Sequence, residues 1–296
     1  MFIIYTMDSY SGSDASLKSY NTVNLRLSTA YKTSSSASDT NCTIQLTQSR
    51  LLTNVVKADV NYVNIANVFH NVASYNNKFE ISIYDISVGP PVQQYSLEMP
   101  RGYYNATELA AVLQAGLRAI DTRLAATTIV YDTVIKRYIT ATNNSQYFCD
   151  LEAFSGNANK FGNNFLWLIG ANVNTNVYRI GVGETITPFP TNLYGATSVF
   201  LCSRKLATTK SIFELIDNTD RVSSTVGNEV MAIGINSAYG VYQTYYNNGS
   251  DRGLNCFNTG FILDEVDLQI VDEWNNFLES DRPLNPIVIG VKLTYI

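Results

Sequence analysis

Period-two alternation of apolar and polar residues runs through most of this chain, and it commits the sequence to strands with one buried face. Cys42, Ile44 and Leu46 point one way while Thr43, Gln45 and Thr47 point the other. Val56, Ala58, Val60 and Tyr62 alternate with Lys57, Asp59 and Asn61, after which the parity moves to Val63 and Ile65. A shift of that kind marks a bulge or bend. Phe79, Ile81 and Ile83 form a further half-buried strand, and Gly89-Pro90-Pro91 is a turn because neither proline can donate to a ladder. Strands follow at Gln94–Met99, Thr127–Tyr131, Ile135–Thr142, Thr197–Ser203, Val230–Ile235 and Tyr239–Tyr246. Val266, Leu268 and Ile270 face in against Glu265, Asp267 and Gln269. The alternation of Ile287, Ile289, Val291, Leu293 and Tyr295 predicts a last strand pinned inside a sheet.

One segment breaks this rhythm. Between Asn105 and Ile120, residues Leu109, Val112, Leu113, Leu117 and Ile120 recur at helical spacing on one face. Asn105 can cap the free N–H groups and Glu108 can reach back, a capping box with Asn in place of Ser or Thr. Many strands, one substantial helix and no βαβ rhythm predict an all-β, antiparallel sandwich. Residues 1–40 read as an N-terminal arm, partly extended, in which Asn21–Leu27 can pair as a strand. The sandwich then occupies 41–296, with a long loop or small insertion at about 150–195. That stretch is rich in Asn and Gly, carries an apolar cluster (Phe161, Phe165, Leu166, Trp167, Leu168) anchored in a core, and has Pro188 and Pro190 in a surface loop.

Charged residues make up only 15% of the 296 residues, against roughly 25% in an average domain. Asn, Ser, Thr and 20 Tyr must therefore cover much of the exterior. Tyr rings suit interfaces, and they also suit strands, so the two readings stand side by side. A net charge of −5 without a basic arm argues against a nucleic-acid footprint, which needs clustered Lys and Arg. Residues 1–40 hold only Lys18, Arg26 and Lys32. Cys42, Cys149, Cys202 and Cys256 form no C-x-x-C pair, so zinc spacing is absent and buried thiols are the expectation over two disulfides. The first residues lack a positive n-region, and no apolar run approaches the roughly 20 residues of a membrane helix; the sequence predicts a soluble chain without a transmembrane segment.

Chemistry-bearing residues are sparse. His70 is the single histidine, which excludes multi-histidine metal clusters, and no G-x-S-x-G elbow accompanies it, so a structural role is expected. Gly181-Val182-Gly183-Glu184-Thr185-Ile186 starts like a dinucleotide fingerprint but lacks the third glycine and a receiving helix, and reads as a turn. Asp264, Glu265, Asp267, Asp272 and Glu273 could supply paired carboxylates for glycoside hydrolysis, with Glu265 and Asp267 on one sheet face; their outward phase predicts a solvated face instead. Asn41, Asn105, Asn143 and Asn248 lie in N-x-[ST] sequons, which matter only in a secreted chain. The sequence thus assigns no catalytic, cofactor-binding or metal residue.

Three segments resemble the minor capsid, or penton, proteins of virophages, polinton-like viruses and related large DNA viruses, mavirus-like pentons among them. Leu51–Val60 followed by Asn64–Phe69 is similar to that family's early strand pair. Met99-Pro100-Arg101-Gly102-Tyr103-Tyr104-Asn105-Ala106-Thr107-Glu108-Leu109, leading into Val112-Leu113-Gln114, resembles its proline, glycine, tyrosine, then helix signature. Leu263–Trp274 and the closing strand resemble its last two strands. The resemblance implies a single jelly roll without enzymatic activity or cofactor, a homopentamer at five-fold vertices of an icosahedral virion assembled inside the infected host cell, and contact with a major capsid protein, with residues 1–40 as an inner arm. A jelly-roll carbohydrate-binding module is the alternative that the Tyr and Asn abundance supports.

Overall fold

The structure is a computed structural model and describes residues 21–36, 38, 40–46, 54–154, 164–171, 176–193, 197–206, 215–216, 222–223, 229–247, 256–274, 276–280 and 286–295. The chain first lays down β1 (Asn21–Ser28), β2 (Asn41–Gln45) and β3 (Val55–Ala66). It continues through β4 (Lys78–Asp85), β5 (Pro91–Glu98), the helix α1 (Ala106–Ile120), β6 (Thr128–Asp132), β7 (Arg137–Ala141), β8 (Tyr147–Ala153), the single turn α2 (Phe165–Leu168), β9 (Val177–Ile180) and β10 (Thr185–Ile186). Then come β11 (Ser198–Cys202), a short antiparallel pair β12 (Leu215–Ile216) and β13 (Val222–Ser223), β14 (Glu229–Gly234), β15 (Tyr242–Tyr246), β16 (Cys256–Phe261), β17 (Glu265–Asp272) and β18 (Val288–Tyr295). Two compact units result: Met1–Val68 together with Ala196–Ile296, and Phe69–Gly195.

The first unit has two antiparallel sheets. One runs β1-β18-β3-β15, with β16 also on β3; the other runs β14-β11-β17-β2. Counting the unit's strands along the chain, leaving out the separate β12–β13 pair and taking β15 and β16 as one position, the first sheet holds the first, eighth, third and sixth and the second holds the fifth, fourth, seventh and second. That interleaving is the jelly roll. The alternation read from the sequence supplies its core: Val23, Leu25, Leu27, Ala58, Val60, Val63, Ile65, Ile289, Val291 and Leu293 are buried on one sheet, and Cys42, Ile44, Val199, Leu201, Met231, Ile233, Val266, Leu268 and Ile270 on the other.

The parity change in β3 is a real bulge. Gly290 pairs with Tyr62 and Val291 with Val60, so Asn61 is the extra residue. The bulge turns Tyr62 to the outer face, away from Ala58 and Val60 with which simple alternation had grouped it. Its row across the sheet is Arg26, Gly290, Tyr62 and Tyr246. Gly290 is where it is because the Tyr62 ring lies over it; a Cβ there would overlap the ring.

Outside the sheets, the segments between strands are tied in pairs. Thr29 N–H donates to Ile287 O at 3.0 Å and Thr40 Oγ1 to Leu278 O at 3.0 Å, joining the β1–β2 and β17–β18 connections. Asn67 Nδ2 donates to Ser237 O at 2.6 Å and Ile235 N–H to Thr197 O at 2.9 Å, so the residues where the chain leaves β3 and returns to β11 are both held by the β14–β15 connection. Of the expected arm, Asn21–Ser28 is β1, paired along its whole length with β18; residues 1–20 lie outside the described ones.

Phe69–Gly195 is a unit of its own, wider than the insertion expected at 150–195. Alternation shows that a strand has one buried face but not which sheet it joins, so β4 to β7 had read as part of the main sandwich. Here β5-β4-β8-β9 form a four-stranded sheet and β10-β7-β6 a three-stranded one. One continuous core joins Phe79, Ile81, Ile83, Cys149, Leu151 and Ile180 of the larger sheet to Leu109, Leu113 and Leu117 of α1 and Phe165, Leu166 and Leu168 of α2. Phe79 and Phe165 stack at 4.6 Å. The capping box is present: Glu108 N–H donates to Asn105 Oδ1 and Asn105 N–H to Glu108 Oε2, both at 2.9 Å. Phe161 lies outside the described residues.

The proline, glycine, tyrosine signature has a structural cause. Buried Asn71 donates from Nδ2 to Tyr104 O at 2.8 Å and Leu193 O at 3.0 Å, and its Oδ1 accepts from Tyr104 N–H at 2.9 Å. Val72 and Gly102 form a two-way backbone bridge, and Tyr104 Oη donates to Pro100 O at 2.9 Å. Asn77 Nδ2 donates to Met99 O at 2.9 Å. The whole lead-in to α1 is thus fastened to residues 71–77.

Two outcomes follow from these contacts. Asn71→Ala strands three backbone groups and should lower unfolding free energy by roughly 2–4 kcal/mol in denaturant titration, with the loss falling on the Phe69–Gly195 unit. Gly290→Ala should cost about 1–3 kcal/mol through overpacking, and much less in a Tyr62→Ala background, a non-additivity that a double-mutant cycle reads directly.

Candidate functional site

The acidic stretch on β17 is the one place where the sequence offered a catalytic arrangement, and two of its acids, Asp267 and Asp272, are already used. Asp267 accepts from Ser203 Oγ at 3.0 Å and from the N–H groups of Arg204 at 3.1 Å and Lys205 at 3.0 Å, with Arg204 Nε 3.6 Å away. It thereby caps the turn that follows β11. Asp272 is buried; its Oδ1 accepts from Trp274 N–H at 2.9 Å and Asn276 N–H at 2.8 Å, and its Oδ2 from Asn276 Nδ2 at 3.0 Å. It closes the turn after β17. Glu265 and Asp264 stand near Lys205, at 3.8 and 3.6 Å. The outward phase of Glu265 and Asp267 is as the alternation predicted. Sequence reasoning missed Asp267 as a turn-closing acceptor because its donors come from Ser203–Lys205, more than sixty residues away; Asp272 was legible, since an aspartate accepting from the N–H two residues on is a local turn pattern.

The other sequence candidates are dispersed. His70 is buried beside Phe69 at the start of the Phe69–Gly195 unit. Gly181–Glu184 is the turn between β9 and β10, where Gly181 O accepts from Thr142 N–H at 2.9 Å, and a strand rather than a helix follows it. Of the sequon asparagines, Asn41 is in β2, Asn105 caps α1, and Asn143 donates to Ala126 O at 3.1 Å and Thr128 Oγ1 at 2.9 Å; Asn248 lies outside the described residues. Cys42, Cys149 and Cys202 are buried, and burial pushes the Cys149 and Cys202 thiols up to about 12. Among the described residues no three His, Cys, Asp or Glu side chains converge as a metal site, and no helix is long and apolar enough to cross a membrane.

A sugar-binding reading needs a free aromatic face. On the outer side of the four-stranded sheet, Tyr84 and Phe148 are cross-strand partners stacked at 5.0 Å, with an interplanar angle of 6°. The Arg179 guanidinium lies 4.5 Å from the Phe148 ring centre and is fixed by Asp150, which accepts from Nε at 2.7 Å and from Nη2 at 2.8 Å. The same guanidinium lies 5.9 Å from the Tyr84 ring centre, so the two rings and the cation form one packed group.

What the geometry defines is a jelly-roll protein with a second folded unit set between its third and fourth strands. No protein-family model matches the chain and no curated protein matches it. Among solved structures it is similar to the mavirus penton protein, at 10% identity and a TM-score of 0.49, over 94% of this chain and 99% of that one. It is also similar to a chain of the Sputnik virophage structure solved by electron cryo-microscopy, at 13% identity and a TM-score of 0.43, over 93% of this chain and 98% of that one.

Burial holds the Asp272 carboxyl above its ordinary value of 3.8, against the opposing pull of its hydrogen bonds. A raised folded value means that this group's contribution to stability is fully present below pH 3.8 and is lost as pH rises through the folded value. Asp272→Asn keeps the two Oδ1 contacts, and the third as well once the Asn276 amide turns over to accept from the new Nδ2. It should flatten that segment of the stability–pH curve, as read by denaturant titration at successive pH values.

Proposed function

We propose that this chain is a structural capsid protein, a penton subunit that forms homopentamers at the five-fold vertices of an icosahedral virus and contacts the major capsid protein there. Its place is then the virion, assembled inside the infected host cell. The observation that carries the reading is the complete jelly-roll strand order of the first unit, in a chain whose Met99–Gln114 segment resembles the penton signature. A packed sandwich presents two rigid edges at a fixed angle, which is what a head-to-tail ring needs in order to close. The residues preceding β1 are the proposed inner arm.

The same geometry supports a non-enzymatic role. Asp267, one of the two acids that share a sheet face, and buried Asp272 are both committed to closing turns. The charge balance supports partners that are proteins rather than nucleic acid.

Native mass spectrometry of the full chain tests the proposal. The expected species has five times the mass of the 32.8 kDa chain. A monomer at all concentrations would contradict it, and a monomer that binds immobilised glycans would favour the carbohydrate-binding module instead.

A further inference from the structure

The two outer faces of the jelly roll carry opposite charge. On the β1-β18-β3-β15 sheet the register sets Arg26, Gly290, Tyr62 and Tyr246 in one outward row, Asn24, Lys292 and Asp59 in the next, and Thr22, Thr294 and Lys57 in the one after. Among the described residues these rows hold three bases and one acid, with Lys57 Nζ 2.9 Å from Asp59 Oδ2. Arg26, Lys292 and Tyr246 are exposed. On the β14-β11-β17-β2 sheet Phe200 lies beside Ala232, Gln269 and Glu229 flank Cys202, and Asp267 and Glu265 follow along β17. With Asp264 and the turn residues Arg204 and Lys205, this patch holds four acids and two bases among the described residues.

Both patches lie beside the same end of the sandwich. The β17–β18 connection is tied to the β1–β2 connection through Thr29 with Ile287 and Thr40 with Leu278. The opposite end is therefore where β17 begins, at Glu265, and where β18 finishes, beyond Lys292. From that end toward the middle, each face passes from charged rows to an aromatic one: Tyr62 with Tyr246, 6.4 Å apart, on the first and Phe200 beside Ala232 on the second. Strand periodicity explains why these side chains point outward, but it does not sort bases onto one sheet and acids onto the other.

We infer that the two patches are complementary sides of one contact, in which the basic patch of one copy lies against the acidic patch of the next. This rests on the ring reading above and names the surfaces through which the ring closes. Charge identifies the occupant: an excess of two bases meets an excess of two acids carried by the same chain, whereas either face laid on its own copy sets like charges together. Asp267 and Glu265 keep Arg204 and Lys205 beside them, and those cations are already counted in the balance. Position accounts for closure. Patches centred on opposite faces would stack copies in an open line, whereas patches beside one end draw the copies together there and splay them at the other, which bends the line into a ring. Tyr62 and Tyr246 supply the amphipathic rings favoured in such contacts.

Native mass spectrometry of the full chain over a concentration series tests the contact, with melting temperature as the folding control. Arg26→Glu with Lys292→Glu should raise the concentration of half-assembly about tenfold or more, and Glu229→Lys with Glu265→Lys should do the same, melting being unchanged. The chain bearing all four substitutions exchanges the signs of the two patches and should assemble within about threefold of the wild type. Arg26→Gln with Lys292→Gln removes charge without reversing it; it should weaken assembly about threefold, and it replaces the reversal if that variant melts early. Rings that survive both reversals, or a loss that the four-substitution chain does not relieve, overturn the inference and leave the ring reading standing. A wild type that stays monomeric defeats both. Poly-glutamate held by the wild type and lost from Arg26→Glu with Lys292→Glu, with rings undisturbed, would overturn the inference by giving the basic patch to an acidic partner.

Discussion

Everything in the jelly roll depends on β18 lying between β1 and β3. Each of its residues pairs with β1 on one side and with β3 on the other, the bulges lying on β3. Without it β1 has no neighbour in the sheet and β3 loses its longest ladder. Because the paired strands lie more than two hundred residues apart, closing this sheet carries a large loop-closure cost before any hydrogen bond offsets it. The buried apolar sets of Ile289, Val291 and Leu293, each worth about 1.5–3 kcal/mol when fully withdrawn from water, hold it there.

The same constraint explains how the chain can carry a whole second unit between β3 and β11. Sheet pairing fixes where those strands lie, and the β14–β15 connection holds both Asn67 and Thr197 by hydrogen bonds. A connection anchored at its two feet tolerates a long insertion, since added length costs little further entropy. The inserted unit keeps itself folded by its own core and by Asn71 and Asn77, which fasten the segment leading into α1.

Much of this was legible in the residues because strand burial is a local pattern. Ile44, Val266, Leu268 and Ile270 lie inward as their alternation required, the α1 capping box formed, and the parity shift after Tyr62 located the Asn61 bulge. Other features depend on distant partners. β8 carries an alternation of Cys149, Leu151 and Ala153 with Asp150 and Glu152 that runs into the stretch read as a loop, and β9 and β10 sit where Asn and Gly dominate, so they emerge only through pairing with β8 and β7. The outer boundary of the inserted unit at Phe69 has no punctuation in the sequence. Asp267 looks like any outward carboxylate until Ser203, Arg204 and Lys205 are brought to it.

The reading as a vertex protein joins the rigid sandwich to a symmetric assembly, and imaging the assembly addresses both at once. Electron cryo-microscopy of the purified full chain should reveal closed five-fold rings whose subunits accommodate the interleaved β1-β18-β3 sheet. Isolated subunits, rings of another order, or density in which β18 lies at a sheet edge would contradict the account.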